Sequence, residues 1–338
     1  MDFDPNAASA PESGIFGLPD DPEGARVHVL GVPFEATTSY RQGTAQAPAA
    51  VLAASRQVDL FDLRFGRPYE QGIWMAPPDP RVAEWNEEAR ALAGPLIEQG
   101  GARPGDAVAA ARVDELCDRV RSEVRSFAEE RLATGRLPVI LGGDHSTPLG
   151  AIEACARRHP GVGILQFDAH ADLRPAFEGF RWSHASVMFN ALEGSAEIGA
   201  LCQVGLRDLC EQEFELIRGD GRVRALFDHD LAAAREAGLT RAVAREAIAG
   251  LPEHVHVSLD VDGLDPSLCP NTGTPVPGGL GWHELTVWLE ELAASDRVVV
   301  GLDLNEVSAG PAGDLEGTSW DSIVGARLLY RLIGAALA

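Results

Sequence analysis

Seven mostly apolar runs, each set apart from the next by a longer segment, limit the fold of this chain more than any other feature. They are RVHVLGVPF (26–34), LPVILGG (137–143), VGILQFDAH (162–170), ALCQVGL (200–206), RVRALF (222–227), HVHVSLDVD (254–262) and RVVVGLDLNEV (297–307). A strand with one wet face alternates apolar and polar residues, whereas a strand apolar throughout is covered on both faces, the habit of parallel sheets. The intervening segments carry the helical period. Val113, Leu116, Val120, Val124 and Phe127 recur at spacings of three or four within 109–134. Helices are also predicted at 49–55, 147–158, 210–217, 230–250, 282–294 and 320–337, whereas 56–104 reads as irregular. Strands alternating with helices predict one α/β domain over 26–338, with a mostly parallel sheet covered on both faces. Residues 1–25, acidic and rich in Pro and Ala, read as an arm that is mobile or lies on the surface.

Charge narrows the partners. The chain has 28 basic against 51 acidic residues, a formal net charge of −23, and every basic residue is Arg. Such a surface repels nucleic-acid phosphates and anionic membranes, and mildly favours cationic small molecules. Without Lys, Schiff-base chemistry on a lysine is excluded. The five Cys, an odd number with no CxxC pair, suit a reducing compartment. The N-terminus lacks a basic region followed by an apolar run, and no stretch approaches the ~18 apolar residues of a membrane span. The expectation is a cytoplasmic protein.

In parallel α/β sheets, functional residues gather beyond the carboxyl ends of the strands. Four such ends carry polar clusters: Gly142-Gly143-Asp144-His145-Ser146, Asp168-Ala169-His170-Ala171-Asp172, Asp260-Val261-Asp262-Gly263 and Asn305-Glu306. In extended chain, alternate side chains share a face, so Asp168, His170 and Asp172 would converge, as would Asp260 and Asp262. Carboxylate oxygen with imidazole nitrogen suits Mn, Zn, Fe, Co or Ni. Four Asp crowded together would repel one another unless cations or protons intervened. Two divalent ions would neutralise them and lower the pKa of a water from 15.7 towards ~7.

GGDHS, DAHAD and DVDGLDP, in that order, resemble the three motifs of the ureohydrolase family of arginases, agmatinases, guanidinobutyrases and formiminoglutamases. The resemblance extends from LGVPF through NTGTPVPGGL to the closing GARLLYRL. It implies a three-layer sandwich around an eight-stranded sheet, and two divalent ions, Mn as a rule and Ni in some relatives. It implies that His145, Asp168, Asp172 and Asp260 hold one ion, and that His170, Asp168, Asp260 and Asp262 hold the other. Glu306 would pair with the guanidinium, and His184 would move protons to the leaving amine. Metal-bound hydroxide would attack the guanidino carbon and release urea. The resemblance further implies a homo-oligomer, a trimer or hexamer.

The substrate stays open at this level. The loop Leu173-Arg174-Pro175-Ala176-Phe177 departs from the arginase pattern and is closer to agmatinases. Arg174 could repel agmatine's distal amine, attract the carboxylate of guanidinobutyrate, or face solvent. Thr272, in the NTGTP loop, is a candidate wall of the substrate pocket, and the loop 37–41 another. Agmatine leads, with guanidinobutyrate, guanidinopropionate and free guanidine as alternatives. Further alternatives are formiminoglutamate hydrolysis and a metal-bound binding protein without turnover.

Overall fold

A computed structural model describes residues 3–10, 12–310 and 313–338. The strands are β1 (Val27–Gly31), β2 (Ile73–Met75), β3 (Leu137–Leu141), β4 (Val162–Phe167), β5 (Ile198–Leu206), β6 (Val223–Phe227), β7 (His254–Asp260) and β8 (Val298–Asn305). They form one sheet in the order β2-β1-β3-β8-β7-β4-β5-β6, and every neighbouring pair is parallel. Alternate residues feed opposite cores. In β4, Leu165 and Phe167 join one apolar cluster while Val162 and Ile164 join another across the sheet. This is the physical reason for the uninterrupted apolar runs.

One face is covered by α1 (Ala47–Ser55), α7 (Asp228–Glu236), α8 (Thr240–Ala249), α9 (Trp282–Ala293) and α10 (Trp320–Leu337). The other is covered by α2 (Pro80–Glu98), α3 (Ala107–Ala133), α4 (Leu149–Arg158), α5 (Val187–Gly194) and α6 (Glu211–Gly219). The result is the three-layer sandwich with eight strands.

Three sequence expectations need correction. Residues 56–104 are not irregular, since they contain β2 and α2. α2 starts cleanly, with Asp79 accepting from the Arg81 amide at 2.9 Å and Pro80 in its first turn. Its buried face is Val82, Ala89, Ala93 and Leu96, and the alanines make the helical period faint. Second, the helix expected over 230–250 is two, α7 and α8, divided where Gly238 takes φ +70°. Third, the segment before β1 does not simply lie on the surface. Ile15, Phe16 and Leu18 are buried in the main core, the Phe16 amide donates to Ser55 Oγ at 2.8 Å, and its ring lies 4.8 Å from that of Tyr330.

Candidate active site and metal centre

The central strands β3, β8, β7 and β4 end side by side, so their C-terminal loops meet over one spot. His145 follows β3, Asp168, His170 and Asp172 follow β4, Asp260 closes β7 with Asp262 just beyond, and Glu306 follows β8. The six expected metal ligands do converge. His145 Nδ1 lies 3.0 Å from Asp168 Oδ2, 3.0 Å from Asp172 Oδ2 and 3.3 Å from Asp260 Oδ2. His170 Nδ1 lies 3.0 Å from Asp262 Oδ2 and 3.7 Å from Asp168 Oδ1. Two overlapping groups result, one of His145, Asp168 and Asp260 and one of Asp168, His170 and Asp262. Asp168 is common to both.

Strand alternation is not how they converge. β4 stops at Phe167, and Asp172 takes φ +55°, in the left-handed region that ordinary residues avoid. Asp262 sits in a tight turn, Val261–Gly263, whose start is held by Asp260 Oδ1 accepting from the Asp262 amide at 2.8 Å. That turn packs on Asp168 because residue 263 is glycine. A Cβ there would lie 2.6 Å from the Asp168 backbone nitrogen. Glu306 has φ +61°. Left-handed residues at two points of one site are backbone strain held by the surrounding fold, and such strain clusters where function needs it.

The electrostatics are those of a site short of positive charge. Burial and the charge of Asp168 push Asp172 up to about 7. Burial, then Asp262 and Asp168, drive Asp260 well up. Glu306 rises through burial and through Asp260 and Asp144. For Asp168, burial acts upward, but hydrogen bonding to His145 and His170 outweighs it and holds the acid ionised. Burial acts downward on His145, but the carboxylates of Asp168, Asp172 and Asp260 around its buried Nδ1 outweigh it and raise the ring well above its usual value. A nitrogen among three carboxylate oxygens calls for a cation, a proton or a metal, and two groups of carboxylate and imidazole donors sharing Asp168 fit divalent metal ions.

A narrow cavity of about 160 Å³ opens onto the cluster. Its walls include Ser39, Arg174, Phe177, His184, Asp208, Glu213, Thr274 and Glu306. His184 hangs on Thr37, whose Oγ1 accepts from the His184 amide at 3.1 Å and lies 3.3 Å from Nδ1. Burial and the neighbouring His170 and His145 push His184 down to about 4. Glu306 Oε1 accepts from the His145 amide at 2.9 Å. Arg174 reaches the cavity, but its Nε is 3.5 Å from the buried Glu213 carboxylate and its guanidinium lies over the Phe177 ring at 4.7 Å.

Thr272, expected as a pocket wall, is fully buried with an unpartnered hydroxyl. The cavity instead takes Thr274, which donates to Asp262 Oδ2 at 3.2 Å. Of the 37–41 loop, Ser39 lines the cavity, while Arg41 donates away from it to the Pro270 carbonyl at 3.0 Å. Sequence reasoning missed Asp208 and Glu213. Asp208 stands just past the end of β5, so the strand-end rule, applied to a fifth strand, points to it.

A parallel α/β sheet whose adjoining strand ends gather Asp and His into two groups sharing one carboxylate defines a divalent-metal site of the hydrolase kind. Comparison with known proteins narrows this. Residues 25–334 match the model of the Arginase family. The chain is 35% identical to the N(1)-aminopropylagmatine ureohydrolase of Thermus thermophilus, over 95% of this chain and 94% of that protein. It is 30% identical to the agmatinase of Pyrococcus horikoshii, over 90% of each. The crystal structure of the agmatine ureohydrolase of Thermoplasma volcanium superposes with a TM-score of 0.69 at 25% identity, covering 93% of this chain and 91% of that one. The chain belongs to the arginase family. It is accordingly a hydrolase of carbon–nitrogen bonds in linear amidines, of the agmatinase-like branch.

Proposed function

We propose that this enzyme releases urea from a guanidino compound whose far end is also cationic, agmatine or an N-aminopropyl derivative of it. The observation that carries this reading is the charge of the cavity. Beyond the cluster carboxylates it presents Glu306, which faces the guanidinium, Glu213 paired with Arg174, and Asp208, which no cation of the cavity offsets. A substrate with a distal carboxylate would meet like charge there, and a distal ammonium would meet opposite charge. The cavity, about 160 Å³, suits a small molecule, and the relatives named above act on agmatine-type compounds.

In this reading His145, Asp168, Asp172 and Asp260 would hold one ion. His170, Asp168, Asp260 and Asp262 would hold the other. Mn is the proposed metal and Ni the alternative. When bound, the ions supply a water acidic enough to be a nucleophile at neutral pH. Glu306, fixed through Oε1 on the His145 amide, offers its other oxygen to orient the guanidinium. His184 has Nδ1 occupied by Thr37 and Ser183, so Nε2 is the atom that takes a proton and returns it to the departing amine. Arg174 steadies Glu213 and thereby shapes the distal end of the cavity.

Among the described residues no helix is long and apolar enough to cross a membrane. The proposal includes a cytoplasmic protein with five free thiols, assembled as a trimer or hexamer. The acidic cavity speaks for a small cationic substrate and against nucleic-acid partners. Light scattering tests the assembly.

The test of function is product analysis with Mn-loaded and Ni-loaded enzyme across agmatine, N-aminopropylagmatine, arginine, guanidinobutyrate, guanidinopropionate, guanidine and formiminoglutamate. Urea from the dicationic compounds is expected. Formamide from formiminoglutamate, or no product at all with metal occupancy verified, would overturn the proposal.

A further inference from the structure

Beneath the cluster, inside the sheet, lies a buried polar chain that the proposed chemistry does not use. Parallel pairing of β7 with β8 sets Ser258 opposite Asp303 and His256 opposite Gly301. Asp303 is fully buried and accepts three hydrogen bonds. Its Oδ1 takes Ser258 Oγ at 2.8 Å and Asn305 Nδ2 at 2.5 Å, and its Oδ2 takes His256 Nε2 at 2.6 Å. Three donors thus converge on its two oxygens, the pattern of an acceptor-only group. His256 supports this. Burial acts downward on its ring, but the bond to Asp303 prevails and raises it to about 9. Space for that ring comes from Gly301, since a Cβ there would lie 2.7 Å from both His256 Nδ1 and Cys155 Sγ.

Proton accounting then runs from Asp303 to the metal cluster. A serine hydroxyl has one hydrogen, and Ser258 spends it on Asp303, which as a carboxylate can only accept. Ser258 Oγ also lies 2.9 Å from His145 Nε2, so at that contact it accepts. His145 Nε2 therefore carries a proton, and Nδ1, which faces Asp168, Asp172 and Asp260, is the nitrogen left for an ion to take.

We propose that Asp303 is a positioning residue that fixes the tautomer and direction of His145 through Ser258, so that the inner metal position is built before an ion arrives. The proposal rests on the reading of His145 as a ligand. Metal-bound histidines commonly give their second ring hydrogen to a carboxylate, and such partners are worth about 10–100-fold in metal affinity. Here the carboxylate acts at one remove, through a hydroxyl. A polar chain that merely plugs the sheet would leave metal affinity untouched.

The experiment uses the full chain and measures Mn affinity by chelator competition, with the melting temperature of the metal-free protein recorded beside it. Ser258→Ala should weaken one of the two ions by about 10–100-fold and spare the other, and Ser258→Thr should restore it. Asp303→Asn should cost a similar factor alone and add nothing in the Ser258→Ala background, because both break one path. If Asp303→Asn fails to fold, the Ser258 pair decides alone. With diamagnetic zinc in place of Mn, the histidine ¹⁵N spectrum should show a hydrogen-bonded His145 Nε2 proton, and loss of that hydrogen bond in Ser258→Ala. Both ions bound by Ser258→Ala at wild-type affinity, or losses that multiply in the double variant, would overturn the proposal. Metal binding is read without substrate, so a failed urea assay would remove the substrate reading and leave this one standing.

Discussion

His145 and His170 lie on either side of Asp168, the first with 1% of its side chain exposed and the second with 26%. The His145 side is closed in by Asp172 and Asp260, tied to the Glu306 carboxylate through its own amide, and backed by Ser258 and Asp303. The His170 side rests on Asp262 and Asp168 and shares its cavity with Arg174, His184 and Asp208. Both halves line the one cavity, but the first is sunk into the core and the second is the more open to solvent. The first half has more partners to hold its geometry, and the second has fewer.

The shared carboxylate should matter most. Asp168→Ala is expected to remove both ions and lower urea release by several orders of magnitude, read by metal mass spectrometry alongside the assay. One ion retained at full occupancy would show that the halves are independent. Glu306→Gln should keep two ions per chain yet reduce kcat/KM by about 10²-fold, the roughly 3 kcal/mol of a broken buried charge pair. Unchanged turnover would mean that the guanidinium is held elsewhere. Chelation should then separate the halves directly. The ion on the His170 side is expected to bind about 10-fold more weakly, lacking a positioned second-nitrogen partner, and to leave first. His170→Ala should abolish that early phase and His145→Ala the late one. The smallest effect belongs to Arg174. Arg174→Ala should change kcat/KM for agmatine by less than about 5-fold, the scale of a partly exposed pair.

The same division decides what could be read from the sequence. The uninterrupted apolar runs disclosed the parallel sheet, and their ends disclosed His145, Asp168, Asp260 and Asp262, because a fully buried strand leaves its polar residues nowhere else to go. α2 stayed hidden because two alanines make up half of its buried face. Ile15 and Phe16 stayed hidden because a short apolar pair in a Pro-rich stretch has no period. Asp172 and Glu306 were found by their place after a strand, but not their left-handed backbone, which depends on packing around them. Asp303 and Ser258 looked like ordinary strand positions, and only the β7–β8 register makes them neighbours. Arg174 could be identified from its loop, but its engagement by Glu213, some forty residues away, could not.

The most direct test of the account compares kcat/KM for agmatine and for guanidinobutyrate, with the Mn-loaded enzyme in one buffer. The two substrates share a guanidinium and differ at the far end in an ammonium against a carboxylate. A cavity whose uncompensated carboxylate is Asp208 should favour agmatine by about 10²-fold, since like-charge contact costs several kcal/mol. Equal rates, or a preference for guanidinobutyrate, would contradict it and make Arg174 the residue that receives the distal end.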